Sequence, residues 1–320
     1  MKGKYHITVA NEMVKYDFDI RRNITIIKGD SATGKTTLVE MIREFYEDGE
    51  SSGVRLDCEK ECRPLAGRDW KILLQAANDC IVFIDENNDF LPTQDFAEAV
   101  QNSDNYYVIV TREGLPNLPY SVDEIYGIRI SGKYAGLKQT YNELYHIYGD
   151  YSLKEDVDPD KLIVEDSNAG FEFFQNQSVG KQYSVISAGG KSNVFQKMNE
   201  IQGRSILVIA DGAAFGPEMD RVMKMAYRNG NITVYLPESF EWLILASGVV
   251  DHKDLRDILE DPSSHIDSKE FFSWKRFFTH ILIEITRGTW LQYSKRKINP
   301  SYLNETVRQK IVSFIERIRL

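Results

Sequence analysis

Cysteine is scarce: Cys58, Cys62 and Cys80 are the only three in 320 residues. An odd trio makes no disulfide framework. Cys58 and Cys62 are four apart, but no second Cys/His pair stands near them to complete a four-ligand zinc site. Cys80 opens an apolar run and reads as a small core residue. The five histidines, His6, His146, His252, His265 and His280, show no metal spacing. Positive charge is also short, with 39 Lys and Arg against 48 Asp and Glu and a net charge of −9. That balance argues against a protein that coats nucleic acid nonspecifically. It leaves room for a local basic groove, and Lys295, Arg296 and Lys297 form a cluster followed by Arg308, Lys310, Arg317 and Arg319. No apolar run reaches membrane-spanning length. The segment MKGKYHITVA lacks the apolar centre of a signal peptide. No internal repeat is evident. The expectation is a reduced, cytoplasmic protein with no membrane partner.

What is present is ordinary globular material, 42% hydrophobic and 27% charged, in a length that suggests two domains. Tyr5–Val9 and Val14–Ile20 alternate and predict an antiparallel hairpin around Asn11–Glu12. Asn23–Lys28, Cys80–Ile84 and Tyr106–Val110 are continuous apolar runs, read as buried strands. Between them Thr36–Tyr46, Trp70–Ala77 and Phe96–Gln101 have helical spacing. Strands alternating with helices predict a parallel α/β sheet, with Tyr126–Ile130 as a late strand. Leu144–Asp160 lacks strong periodicity, so the boundary is placed there, between a domain at 1–150 and one at 158–320. The second half repeats the rhythm: strands near 162–165, 183–187, 205–210 and 232–236, helices at 169–176, 192–201 and 217–228, and a helical end. The aromatic stretch Phe271–Phe278 could stack bases, but its helical spacing favours core or a subunit interface.

Gly29-Asp-Ser-Ala-Thr-Gly34-Lys35-Thr36 fits G-x-x-x-x-G-K-[ST] and lies between an apolar strand and an amphipathic helix, the context a phosphate-binding loop requires. Glycines let backbone N–H groups turn inward around phosphate oxygens, and the helix adds its positive end. Gly29, Asp30, Ser31, Ala32, Thr33, Gly34, Lys35, Thr36 and Thr37 are thus the nucleotide-binding candidates. Lys35 would meet the β- and γ-phosphates, and Thr36 would supply an oxygen to Mg²⁺. Ile81–Ile84 carries Asp85 and Glu86 to a strand's end, a Walker B pattern. Asp85 would hold Mg²⁺, and Glu86 would act as base or position water. Arg112, after the next strand, would sense the γ-phosphate or form a surface ion pair. Without an NKxD segment, ATP is favoured over GTP.

Residues 1–135 resemble the P-loop ATPases of the ABC-like and AAA-like kind, with an ABC-like hairpin ahead of the glycine loop. No LSGGQ-type signature appears, and the fifty residues from Lys35 to Asp85 are too few for an ABC helical subdomain.

In the second half Glu165, Asp211 and Glu241 fall at the ends of three predicted strands. If they converge they would repel unless they bind a cation, and Mg²⁺ or Mn²⁺ favours such oxygen ligands. Metal-assisted phosphodiester chemistry would follow. Gly189-Gly190-Lys191-Ser192 is read as a strand-to-helix turn. The order Glu165, Gly189-Gly190, Asp211, Ser239-x-Glu241 resembles a Toprim domain, in particular that of the OLD (overcoming lysogenization defect) nucleases, which join an ATPase to a Toprim nuclease. The resemblance implies a C-terminal Rossmannoid domain, with Glu165, Asp211 and Glu241 as catalytic metal ligands. It also implies a lysine from Lys295 or Lys297 near the scissile phosphate, and DNA or RNA as substrate in defence against mobile elements. One departure is plain: D-x-D would need an aspartate where Ala213 stands, and Asp220 on the following helix is a poor substitute. Three readings stay open for this half: an active nuclease, a non-catalytic module binding nucleic acid or a partner protein in an ATP-driven homo-oligomer or scaffold, and a Rossmann-like domain with solvated acids.

Overall fold

Strands buried on both faces read as unbroken apolar runs, and each such run is a strand in the computed structural model of the protein, which describes residues 1–29, 33–132, 138–149 and 156–320. The chain divides into two units, Met1–Gly149 with Asp261–Ser273, and Asp150–Glu260 with Trp274–Leu320.

The first unit opens with β1 (Tyr5–Ala10) and β2 (Val14–Ile20), paired antiparallel. The Asn11 side chain closes their turn by accepting hydrogen bonds from the Met13 and Val14 amides, both 2.9 Å. Then come β3 (Ile24–Ile27), α1 (Lys35–Asp48), β4 (Arg55–Cys58), β5 (Cys62–Pro64), α2 (Trp70–Gln75), β6 (Ile81–Ile84), α3 (Gln94–Gln101), β7 (Tyr106–Val110), β8 (Ile125–Ile130) and β9 (Thr140–His146). All nine strands form one sheet, in the order β4-β1-β2-β9-β8-β3-β7-β6-β5. The five strands from β8 to β5 run parallel. β9 pairs antiparallel with β8 and parallel with β2, so the sheet is mixed and the hairpin belongs to it. A parallel sheet was expected. β4, β5 and β9 were not: they are short or alternate polar with half-buried residues, and no apolar run marks them. The two edge strands, β4 and β5, are consecutive in the chain and joined by residues 59–61 alone, and α1 packs against both. The sheet therefore bends around α1, whose Leu38, Val39, Met41 and Ile42 are buried in its concave core.

Glu124, wholly buried just ahead of β8, accepts from Arg21 Nε at 3.1 Å and from Thr25 Oγ1 at 3.2 Å. Burial raises its pKa, and Arg22 and Arg21 act against that rise. The pair pins the entry of β3 to the start of β8. Residues 261–273 join this unit through Gly3 N to Ser263 O, 2.8 Å, and Asn23 Nδ2 to Phe272 O, 2.8 Å. By sequence position they fall in the C-terminal half, and long-range backbone bonds of this kind leave no local pattern.

The second unit contains β10 (Lys161–Val164), α4 (Ala169–Gln177), β11 (Ser184–Ser187), α5 (Lys191–Glu200), β12 (Ile206–Ile209), α6 (Met219–Asn229), β13 (Ile232–Tyr235), α7 (Phe240–Ala246), α8 (Leu255–Glu260), α9 (Trp274–Thr286) and α10 (Glu305–Ser313). Its sheet, in the order β11-β10-β12-β13, is parallel throughout. Pro217 sits in a 3₁₀ turn, Gly216–Glu218, and α6 starts only after it. Trp274, Phe277 and Phe278 are buried on α9, so they are core and not a base-stacking surface. Among the described residues no helix is long and apolar enough to cross a membrane.

Ile42 lies wholly buried between α1 and the bent sheet. Ile42→Ala should cost about 2–5 kcal/mol, seen as a lower urea midpoint for the first unit with the second unit unchanged. Equal midpoints for that unit would show that the concave core relaxes around the gap.

Candidate functional site

Parallel pairing brings strand ends to one edge. In the first unit β3 runs out through Lys28 into Gly29, β6 into Asp85 and β7 into Thr111, whose amide donates to Ile27 O at 3.1 Å. One strand, β7, separates the glycine segment from the acidic pair. Gly29 (φ +141°) and Gly34 (φ +88°) adopt backbone conformations that side chains disfavour. Gly34 precedes the first turn of α1, and its carbonyl accepts from Leu38 N at 3.1 Å and from Tyr16 Oη at 2.7 Å. Tyr16 stands on β2, so the hairpin clamps the loop's exit. A Cβ on Gly34 would lie 2.7 Å from that phenol oxygen. Burial pushes the Tyr16 phenol up to about 12, against hydrogen bonds to Asn142 and Thr37. Lys35 is 5% exposed, and its ammonium turns back to donate to Gly29 O at 2.8 Å and Thr33 Oγ1 at 3.0 Å. Thr36 and Thr37 are exposed on α1. Asp30, Ser31 and Ala32 lie outside the described residues. Asp85 is buried and accepts from the Glu86 amide at 2.9 Å. Glu86 is held by Arg112, Nε to Oε2 at 2.9 Å and Nη2 to Oε1 at 2.8 Å. Arg112 thus forms an ion pair, and its partner is the second acid of the strand end.

In the second unit Glu165 follows β10 and Asp211 follows β12, on neighbouring strands. Glu165 Oε2 accepts from the Asp211 amide at 2.9 Å. Lys275, from the first turn of α9, lies between them, 2.6 Å from Asp211 Oδ2 and 3.3 Å from Glu165 Oε1. Asp211 Oδ1 accepts from Phe240 N at 3.1 Å, the first residue of α7. Ser239 is that helix's N-cap, its hydroxyl accepting from Trp242 N at 3.1 Å, and Glu241 stands in the first turn. Glu241 Oε1 accepts from Tyr293 Oη at 3.0 Å and lies 3.5 Å from Lys295 Nζ. Lys297 is exposed. Ala213 is buried in the 3₁₀ turn Gly212–Ala214, and its amide donates to Glu238 O at 3.2 Å. Gly212 allows that turn to touch the end of β13: a Cβ there would lie 2.9 Å from Leu236 O.

No protein-family model and no curated protein matches the chain.

The three acids of the second unit differ in surroundings. Burial raises the Glu165 carboxyl pKa, with Lys275 acting against the rise and Asp211 adding to it. Burial alone would lower Lys275, but Asp211, Glu165 and Glu241 together hold its ammonium well above the ordinary value. Tyr293 is pushed up by burial and by the Glu241 carboxylate. Lys191, the first residue of α5, is lowered by burial, with Glu165 and Glu218 opposing; its Nζ donates to Ala214 O at 3.2 Å. Among the described residues no group of three or more His, Cys, Asp and Glu side chains is set to hold a metal ion. The position between Glu165 and Asp211 is taken by an ammonium, so this donor set does not fit a divalent cation as arranged. Sequence reasoning missed Lys275 and Tyr293. The signal for Lys275 was a charge inside the aromatic run Phe271–Phe278, where a buried helix face leaves a cation no bland role.

Lys275→Met would strand two carboxylates in a poorly hydrated site. Breaking such a pair costs about 3 kcal/mol. The Glu165 carboxyl already has a raised pKa, so the loss is full at pH 8 and shrinks as pH falls and protons replace the ammonium. Melting temperatures at pH 8 and pH 5 check this, and an equal drop at both would remove the pairing argument.

Proposed function

We propose that the first unit binds ATP with Mg²⁺ and hydrolyses it at a P-loop site of the ABC-like and AAA-like kind, and that the second unit is a Toprim-like domain of the OLD type that binds nucleic acid without cutting it. The observation that carries the first part is Lys35, a buried ammonium turned onto Gly29 O and Thr33 Oγ1 at the start of α1. Phosphate oxygens could take over those two contacts with little movement of the lysine. The positive φ at Gly29 and Gly34 suits a chain that turns amides inward, and the start of α1 adds partial positive charge. Thr36, exposed at that helix end, and buried Asp85 offer oxygens to Mg²⁺. Bound Mg-ATP supplies the phosphoanhydride to be broken. Glu86 is suited to take a proton from attacking water, and Arg112 fixes both its oxygens beforehand.

For the second unit, Lys275 between Glu165 and Asp211 favours binding over metal-dependent cleavage, as does Ala213 in place of an acid. Half-exposed Lys295 with exposed Arg296 and Lys297 offers phosphate contacts at the same edge.

Lys35→Ala should abolish binding of a fluorescent ATP analogue. Glu86→Gln should keep binding and lose hydrolysis by roughly 10²–10⁴-fold, measured as phosphate release. Hydrolysis by Lys35→Ala at the wild-type rate would sink the P-loop reading. With supercoiled plasmid and single-stranded DNA, Mg²⁺ or Mn²⁺, and ATP present or absent, we expect retention on single-stranded DNA without cleavage. Cutting that disappears in Glu165→Gln would instead establish a working nuclease.

A further inference from the structure

In the second unit the crossovers from β11 to β12 and from β12 to β13 step in the same direction across the sheet. Right-handed connections then put both helices on one face, and α5 and α6 pack side by side. Arg221 bridges them: its Nη2 donates to Ser192 O at 3.1 Å, and its guanidinium lies over the Phe195 ring, 5.6 Å from the centroid. Between the helices runs a groove of about 720 Å³, lined by Phe195 and Met198 of α5 and by Arg221, Lys224 and Arg228 of α6. We infer that this groove seats a single strand of nucleic acid, with phosphates along α6 and a base against Phe195; this rests on reading the second unit as a nucleic-acid binder and says which face of it binds.

Acids outnumber bases in the chain, 48 to 39, and exposed cations elsewhere stand beside carboxylates. Lys4 meets Asp19, Lys71 meets Asp95, Arg129 meets Glu143 and Arg256 meets Glu260. Lys224 and Arg228 are exposed and, among the described residues, neither pairs with an acid. Arg221 pairs with buried Glu218, which neutralises one of the three. Like charges four apart on a helix destabilise it, so Lys224 and Arg228 stay together at a cost that a bound anion would remove. Positions 221, 224 and 228 follow the helical repeat and form one stripe about 10 Å long. Cations spaced along a line suit successive phosphates of a strand. The facing wall adds no charge of its own: Phe195 is half-buried and Met198 buried. A basic wall opposite an aromatic one is the arrangement that holds a backbone on cations and a base on a ring, and Arg221 extends that platform. A duplex, with its bases stacked inside, and an acidic peptide would both leave the ring unused.

The test measures binding of a short fluorescein-labelled oligothymidylate to the full chain by anisotropy at several salt concentrations. Lys224→Ala combined with Arg228→Ala removes two phosphate contacts. That should lower the slope of log affinity against log salt by about 1.4, and the affinity at about 0.1 M salt by roughly twenty-fold. Phe195→Leu keeps the apolar packing and loses the ring, so binding should weaken about ten-fold with the slope unchanged. Lys181→Ala combined with Lys253→Ala, the same loss of charge from exposed positions outside the groove, should change neither quantity. Wild-type affinity and slope in the Lys224/Arg228 variant, where the unaltered chain does bind the strand, would overturn the groove and leave nucleic-acid binding standing. No binding by the unaltered chain would overturn both. A polyglutamate peptide that competes as well as unlabelled oligothymidylate would overturn the nucleic-acid assignment in favour of an acidic peptide.

Discussion

Parallel pairing is the constraint on which both candidate sites depend. A parallel strand can reach its neighbour only by a crossover, so strands placed side by side all end on the same edge. Whatever polar residues follow the apolar runs are then delivered together, however far apart they stand in the chain. In the first unit this edge collects Gly29, Asp85 and Thr111 from β3, β6 and β7. In the second it collects Glu165 and Asp211 from β10 and β12, and β13 leads into Ser239 and Glu241. β3, β6, β7 and β12 are four or five residues long, mostly β-branched and aromatic, with every position buried. The chemistry sits where that burial ends.

Burial also decides how each edge handles charge. A buried ion needs a partner or it shifts its protonation. Glu124 meets Arg21 and Arg22 where the chain passes from β2 into β3 and enters β8, and so ties the frame together. Lys35 donates to a carbonyl and a hydroxyl among its contacts, at Gly29 and Thr33. Glu165 and Asp211 rest on a full ammonium, and Glu241 on a phenol and Lys295. At the second edge, acids and bases of the chain itself face one another.

Much of this was legible in the sequence for definite reasons. Ile24–Ile27, Ile81–Ile84 and Tyr106–Val110 are strands because no surface position would tolerate such runs, and the acids after them announce the edge. β4 and β5 were invisible: Arg55, Asp57 and Arg63 alternate with half-buried residues on edge strands that have one neighbour each. β9, with Asn142 and Glu143 in its middle, fits because its partners β8 and β2 are placed by other parts of the chain. Lys275 was hidden for a related cause. Its partners lie 110 and 64 residues earlier, at Glu165 and Asp211, and no local period encodes a distance of that kind. Tyr16 shows the same limit: its hydroxyl reaches Gly34 O because a hairpin folds onto the glycine segment.

Ala213 and Lys275 are best understood together. Ala213 is 3% exposed in the turn that Gly212 lets approach Leu236 O, so a carboxylate at that position would be desolvated two residues from Asp211. Three close negative charges of that kind are tolerable only with a strongly bound cation. With alanine there, two carboxylates remain, and a single lysine is enough to hold them: its ammonium touches both, while burial, with Asp211 adding to it, keeps the Glu165 pKa raised. A divalent ion entering this arrangement would have to expel a half-buried, doubly paired ammonium. The methyl group at 213 and the lysine at 275 therefore act the same way on charge: one keeps a third carboxylate out of this stretch of chain, and the other neutralises the two that remain.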